Sequence, residues 1–568
     1  MAARMKSNPR DSEQRLAYDD SLAEDLTLLH SKSNEGITDT LKKRYNENFT
    51  YTKVGARVLV AINPIHVGAQ TEGPEIMKAY ADDYHSLAGG RNDALPSHIY
   101  QLANTSYFHL KRSAIDQAVI FIGDSGSGKS RTKRAFIQHL GQLLAGSKKE
   151  AKLMKQLEHA LIVYSSFGCA LSSDNPTASR FGLYTEIQFD TRGRAAGFRC
   201  LDYLLERHRV TSTAAHETNF FAFYQLLAGT SPEERSHFQL NQESSHYAYL
   251  RSTRTYSTPS QLSNEFKTLK SALRTVGFNP KFQSQLFQLL AAILHLGNIQ
   301  FLNPNHQSGE EAALVRNFDV LETAADFLGL HATTLEGLLT YKTKLIKKEA
   351  CTVFLDAEGA REQRDELARC LYGLLFSWIT EHINSRLSVK AQENFLGLLD
   401  LPGSVAGNQV NHFQQFCANY ANERLFHYLC YHVFESSTEA YREDGIQIPS
   451  VEYISNQPAI HLLSRRTSGL VSILHRQANR SRGPASDTAL LQAMLKEQED
   501  EKDDSFTANP SMSQFTVRHF FGVVCYSVEG FMDNNIAGVS PDFVQVFRGK
   551  GASPLATPLY LGCSTVQR

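Results

Sequence analysis

Ala118-Val-Ile-Phe-Ile122 runs directly into Gly123-Asp-Ser-Gly-Ser-Gly128-Lys129-Ser130, and a stretch of helical pattern from Lys129 to Leu140 follows. A buried strand, a glycine-rich loop and a helix in that order predict an α/β sheet fold. The loop fits the phosphate-binding pattern G-x-x-x-x-G-K-[ST]. Its glycines let successive backbone N–H groups face one concavity, and the helix that follows adds its positive N-terminal end. Gly123, Asp124, Ser125, Gly126, Ser127 and Gly128 then form the cradle. Lys129 reaches the β- and γ-phosphates, and the Ser130 hydroxyl takes a Mg²⁺ position. Chance supplies such a pattern in roughly 2% of chains of this length at ordinary residue usage, so a nucleoside triphosphate site is the reading adopted.

Outward from the loop, Ala56-Arg-Val-Leu-Val-Ala-Ile62 reads as a strand ended by Asn63-Pro64, and Tyr184 to Phe189 as another. Gly146 to Lys149 reads as a surface loop. Beyond Asn219 helical patterns dominate, at Asn219 to Leu227, Phe282 to Leu296, Arg364 to Ile383 and His412 to Tyr441. Lys496 to Asp504 is almost wholly charged and reads as a solvated loop or helix end. The first thirty residues read as a mobile extension, and residues 551–568 lack periodicity.

The 568 residues carry 42% hydrophobic and 21% charged side chains, proportions of a folded globular protein. Lys+Arg 58 against Asp+Glu 59 gives a net charge of −1, so there is no electrostatic reason to expect a nucleic-acid partner. The eight cysteines include no Cys-x-x-Cys pair, which points to neither zinc nor a disulfide framework and predicts buried free thiols in a reducing compartment. No apolar run, Leu289 to Leu294 included, approaches the ~18 residues needed to cross a bilayer.

The text around the loop resembles the myosin head. Leu204-Leu-Glu-Arg-His-Arg-Val210 and Glu217-Thr-Asn-Phe-Phe-Ala-Phe-Tyr-Gln-Leu-Leu-Ala-Gly229 are similar to the segment after switch I. Leu290-Ala-Ala-Ile-Leu-His-Leu-Gly-Asn298 and Phe416-Cys-Ala-Asn-Tyr-Ala-Asn-Glu-Arg-Leu425 are similar to two further signatures, the second opening the relay helix. Phe515 to Tyr526 with Glu529-Gly-Phe531 resembles a lower-half element. The likeness runs from about Ile37 to Gly549. It is nearest to the class XVII heads at the N-terminus of fungal chitin synthases, through Tyr341 to Glu349, Cys351 to Asp356 and Asp400-Leu-Pro-Gly403. It implies a P-loop NTPase fold of myosin-head type at 31–549, with a central, twisted, mainly parallel sheet and helical upper and lower subdomains. An extension at 1–30 and an irregular tail at 550–568 flank it. No glycosyltransferase segment is present to make chitin.

The resemblance also assigns roles. Asn175-Pro-Thr-Ala-Ser179-Arg180-Phe-Gly182 matches switch I: Asn175 binds phosphate oxygens, Ser179 supplies a second Mg²⁺ hydroxyl and Arg180 carries charge. Ala178 stands where the family has a serine. Asp400 to Val405 matches switch II: Asp400 orients a Mg²⁺-bound water and the Gly403 N–H meets the γ-phosphate. Lys129, Ser179, Arg180 and Gly403 are the catalytic set, and Ser130, Ser179 and Asp400 the metal set. The family's closing glutamate is Val405, which leaves Arg180 without its partner unless another acid such as Glu423 serves. Removing one partner of a buried pair costs about 3–5 kcal/mol, so a rate loss of roughly 10²–10³ or more is expected. Asn63 and Pro64 match the purine loop, but His66 and Thr71 replace its lysine and tyrosine, so ATP is expected with weak discrimination.

Actin is the partner the resemblance implies. The cluster Lys342, Lys344, Lys347 and Lys348 fits either an actin contact or plain solubility. The chain stops at Arg568, before the converter and lever arm of the family, so it is expected to be either a fragment or a head that generates no force. A cytoplasmic place, at the actin cytoskeleton or on secretory vesicles, is the corresponding expectation.

Overall fold

The computed structural model describes residues 22–64, 72–86, 95–214, 216–250, 256–304, 312–346, 349–405, 407–449, 452–478, 486–498, 505–535 and 539–548, without the side chains of 344–346 and 407–409. His66, Thr71, Lys347, Lys348, the Lys344 side chain and the tail at 550–568 lie outside the described residues. The chain divides into two compact units, one of residues 1–108 with 134–143 and the other of 109–133 with 144–568.

In the first unit, the expected single strand Ala56 to Ile62 is a hairpin, Tyr51–Val54 against Val58–Ala61, with Ala56 and Arg57 in its turn. Gly55 at φ +62° permits that turn. Asn63 and Pro64 follow its second strand. Residues 22–30, expected to be mobile, are packed. Ala23, Leu26 and Leu29 are buried against Ile37, Leu41, Val54 and Val60, because apolar residues at those positions can cover the hairpin. The buried Arg44 guanidinium ties the same segment down, donating to Leu22 O and Tyr51 O at 2.9 and 3.0 Å.

The second unit holds the glycine-rich loop. Strand β1 (Gln117–Phe121) precedes it and helix α1 (Lys129–Leu143) follows, the last ten residues of α1 counting with the first unit. Helix α2 (Lys148–Gly168) starts inside the stretch expected to be a loop, because the Ser147 side chain caps it by accepting from Glu150 N–H. Then come β2 (Gly182–Phe189), β3 (Ala195–Tyr203), the 31-residue helix α3 (Ala357–Leu387) and β4 (Asn394–Asp400). The helical patterns expected near 219–227 and 282–296 are Phe221–Gly229 and Pro280–Gly297.

The central sheet has the order β1-β4-β2-β3. It is not mainly parallel: among the described strands of this sheet only β1 and β4 run parallel, while β4–β2 and β2–β3 are antiparallel. The link between β2 and β3 is a short turn closed by Asp190 N–H to Arg194 O, and a parallel pairing needs a crossover of a dozen or more residues. This register positions the site. Asp400 lies opposite Phe121 on one side and Leu183 on the other. The ends of β1 and β4 and the start of β2 therefore share one sheet edge.

A second sheet, of order β5-β8-β7-β6, is made of β5 (Gly407–Asn411), β6 (Phe506–Asn509), β7 (Gln514–His519) and β8 (Gly522–Ser527). Helix α4 (Phe413–Cys430) shares a core with it, in which Phe416, Val517, Val524 and Tyr526 are buried. The helix expected to run on to Tyr441 passes through a wider π turn at Tyr431–Glu435 before its last stretch, Ser436–Glu443. The lysine cluster expected on a hairpin begins on one, Tyr341–Ile346 against Glu349–Phe354, where Lys342 pairs with Glu366 at 3.4 Å. Cys169, Cys200, Cys370 and Cys430 are buried, and no described cysteine is in a disulfide. No helix among the described residues is long and apolar enough to cross a membrane.

Candidate functional site

The loop leaves β1 at Phe121 and enters α1 at Lys129. Gly126 and Gly128 take φ values of +82° and +94°, a region costly to residues with a Cβ. Lys129 folds back along the loop and donates from Nζ to Gly123 O and Asp124 O at 2.7 and 2.9 Å. An ammonium has three N–H groups, so the charge is anchored at the start of the loop with one donor still to place. Burial lowers the Lys129 pKa, against the upward pull of Asp400 and Asp124.

The metal set expected from sequence is brought together. Ser130 Oγ donates to Asp400 Oδ2 at 2.9 Å and lies 3.2 Å from Ser179 Oγ. Asp400 Oδ1 is buried and has no hydrogen-bond partner, an arrangement expensive to maintain without a cation or water. Two hydroxyls and one carboxylate are the hard oxygen donors that Mg²⁺ takes alongside phosphate and water, so the residues fit that ion. Among the described residues no cluster of three His, Cys, Asp or Glu competes as a metal site.

Asn175 lies over the loop, its Cβ 3.9 Å from where a Cβ on Gly126 would be. Its side-chain oxygen accepts from Thr177 N–H at 3.0 Å, which shapes the turn. Gly403 is pressed against the loop. A Cβ there would fall 2.3 Å from Ser125 N and 2.6 Å from Lys129 Nζ, so no larger residue fits. Asn63 and Pro64 lie in the first unit, away in sequence from this cluster.

Arg180 is not unpartnered, which corrects the expectation from sequence. Its Nε lies 3.5 Å from Glu206 Oε2 and its Nη2 3.5 Å from Glu217 Oε1. Arg209 joins the same acids, with Nε 3.0 Å from Glu206 Oε2 and Nη2 2.6 Å from Glu217 Oε2. Two guanidiniums and two carboxylates thus form a neutral, largely buried cluster. Burial pushes the Glu206 carboxyl up, and Arg209 and Arg180 more than offset this, leaving it below its usual value. Burial pushes Arg180 down, Glu206 pulls it up and Arg209 pushes it down again, with a net lowering. The hairpin explains the encounter. Gly182 pairs with Tyr203 across β2–β3, and Glu206 N–H donates to Arg180 O at 2.9 Å, so the two side chains flank its open end.

Glu423 does not serve Arg180. It is buried with His519 Nδ1 at 3.0 Å, the Phe520 N–H at 2.7 Å and Asn456 Nδ2 at 2.6 Å. Val405 lines a cavity of about 720 Å³ together with Arg180, Glu206, Glu217 and His208, so the position of the missing acid opens on the same space as the cluster. Glu206, Glu217, Arg209 and Ser404 are the residues of this region that sequence reasoning passed over. The run Glu206-Arg-His-Arg209, an acid followed by three basic residues, with Glu217 soon after, was a signal that could have found three of them.

A profile of the Myosin head (motor domain) family matches residues 23–564. Chitin synthase 8 of Mycosarcoma maydis is 35% identical over 534 residues, covering 92% of this chain and 26% of that protein. Chitin synthase 5 of Cryptococcus neoformans var. grubii is 36% identical over 465 residues, 80% of this chain and 24% of that protein. The Myosin-I heavy chain of Dictyostelium discoideum is 31% identical over 536 residues, 93% of this chain and 22% of that protein. The chain therefore spans about a quarter of the length of these relatives. The family profile, matched along nearly the whole chain, places it in the myosin head (motor domain) family.

Proposed function

We propose that this chain is a Mg²⁺–ATP-binding head that engages an actin filament and acts as a tether, with slow or absent hydrolysis, in a setting linked to chitin synthase and secretion. The convergence of Ser130, Ser179 and Asp400 beside the anchored Lys129 supports the nucleotide half of this reading. Lys129 and the loop amides bind phosphates, Ser130, Ser179 and Asp400 hold the metal, and Asn175 and Gly403 border the same space. Bound Mg²⁺ supplies charge neutralisation for the phosphates. Phosphoryl transfer is otherwise a matter of positioning and electrostatics.

The slow turnover now rests on Val405 alone, because Arg180 already has carboxylate partners. Both come from the chain that follows switch I, and none from switch II. Closing the two segments on each other therefore gains no ion pair. A charge-assisted contact withheld in this way is worth about 1.5–3 kcal/mol, or about one to two decades in rate at ~1.4 kcal/mol per decade. Stopped-flow binding of a fluorescent ATP analogue with steady-state phosphate release tests the reading. Binding without actin-stimulated release supports the tether. Turnover near one per second would replace it with a working actin-activated ATPase. Cosedimentation with filaments, with and without ATP, tests the partner.

A further inference from the structure

Between the phosphate loop and the segment after β4 there is a contact the roles above do not use. Asp124 and Ser404 form an isolated parallel bridge, and Ser125 N–H donates to Ser404 O at 3.0 Å. The Ser404 hydroxyl donates to Asp124 Oδ1 at 2.7 Å. Hydrogen bonds to an ionised acceptor are shorter and roughly twice as strong as neutral ones. Ser404 is 3% exposed, so its hydroxyl is shielded from competing water while Asp124 sits at the rim.

Four residues earlier, Asp400 accepts from Ser130 at the helical end of the loop. One short segment, 400–404, is thus tied to both ends of the loop. On its other side Asn422 Nδ2 of α4 donates to Pro402 O at 2.9 Å. The next residue is Val405, which can bring no charge to Arg180.

We propose that Ser404 and Asp124 are a positioning pair. They hold the segment after β4 on the phosphate loop, keeping Asp400 beside Ser130 where a switch-to-switch ion pair is missing, and so favour binding of a magnesium–nucleoside triphosphate. This rests on the nucleotide reading given above. The pair acts through the metal side of the site, so its loss should be felt when Mg²⁺ is present and much less when it is chelated.

The test is titration of a fluorescent ATP analogue against the full chain, with Mg²⁺ and with EDTA. Ser404→Ala should weaken binding about tenfold with Mg²⁺, the usual scale for a hydrogen bond to a charged group, and less than about twofold with EDTA. Ser404→Thr keeps the hydroxyl and should stay near the parent. Asp124→Ala combined with Ser404→Ala should be no weaker than the worse single variant, as coupled residues behave. Hydrogen exchange of the nucleotide-free chain should show faster exchange at the Ser125 amide in Ser404→Ala. Equal weakening with and without Mg²⁺, unchanged affinity, or tighter binding overturns the proposal. A parent that binds no analogue in either arm sinks the nucleotide reading and this proposal with it. A parent that binds, beside a Ser404→Ala chain that binds equally well, sinks this proposal alone.

Discussion

The two sides of the site are built on different principles. On the phosphate-loop side, Ser130 contacts Asp400 and Ser179 at 2.9 and 3.2 Å while Lys129 is anchored to Gly123 O at 2.7 Å, and Lys129 and Ser130 are the residue types the loop pattern demands. On the arginine side, Arg180 sits in a four-member cluster with Arg209, Glu206 and Glu217, and the position expected to supply its acid holds Val405. The lesson is that this buried charge has acids beside it even with Val405 in place. Glu206 and Glu217 lie within ion-pair distance, which limits the cost of a buried ion, although Arg180 Nε makes no hydrogen bond, and neither acid links the two segments.

The largest effect that could break this comparison is on stability. Glu206→Gln leaves two buried guanidiniums sharing one carboxylate, and should lower the unfolding free energy by about 3–5 kcal/mol in urea denaturation. A change below 1 kcal/mol would mean that the cluster does not hold Arg180. On the metal side, Lys129→Ala should weaken binding of a fluorescent ATP analogue by about 100-fold, on the scale of losing charge-assisted contacts to phosphate, with little change in the melting midpoint. Loss of the fold instead would make Lys129 a structural residue.

Acid sharpens the contrast next. Burial, then Arg369 and Arg207, push the His208 pKa down from 6.5 to about 4, and its Nδ1 lies 3.4 Å from Arg369 Nη1. Between these values the unfolded chain binds a proton that the folded chain refuses, so stability falls as pH drops from 6.5 towards 4. At pH 5 the loss is at most about 2 kcal/mol. His208→Gln should flatten that part of the profile; an unchanged slope would place the titration elsewhere. The smallest expected effect is the most direct on function. Val405→Glu should raise phosphate release about tenfold if a bridging acid is what closing lacks, at ~1.4 kcal/mol per decade. No change would mean that Glu206 and Glu217 keep Arg180 from a new partner.

The phosphate loop was legible because its chemistry is local. Glycines at 126 and 128, Lys129 and Ser130 act through their own backbone and the start of one helix, so spacing alone carries the information. Asp400, Ser179 and Asn175 were legible only through family resemblance. Their approach to the loop depends on β4 lying between β1 and β2, which no short pattern states. The strand directions, expected to be mainly parallel from the resemblance, are mixed, and no local pattern could have corrected this: apolar runs at 118–122 and 184–189 look alike whether their neighbours run parallel or antiparallel.

What the sequence by itself determined is the loop, the helix that begins at Lys129 and the family. Each rests on contiguous residues or on blocks in a fixed order. What only the tertiary structure decided is pairing. Asp124 meets Ser404 across 280 residues, and Arg180 finds Glu206 because a hairpin folds back between them. Charge and hydrogen bonding fall off over a few ångströms, so they respect distance in space, and distance along the chain says nothing about it until the sheet has formed.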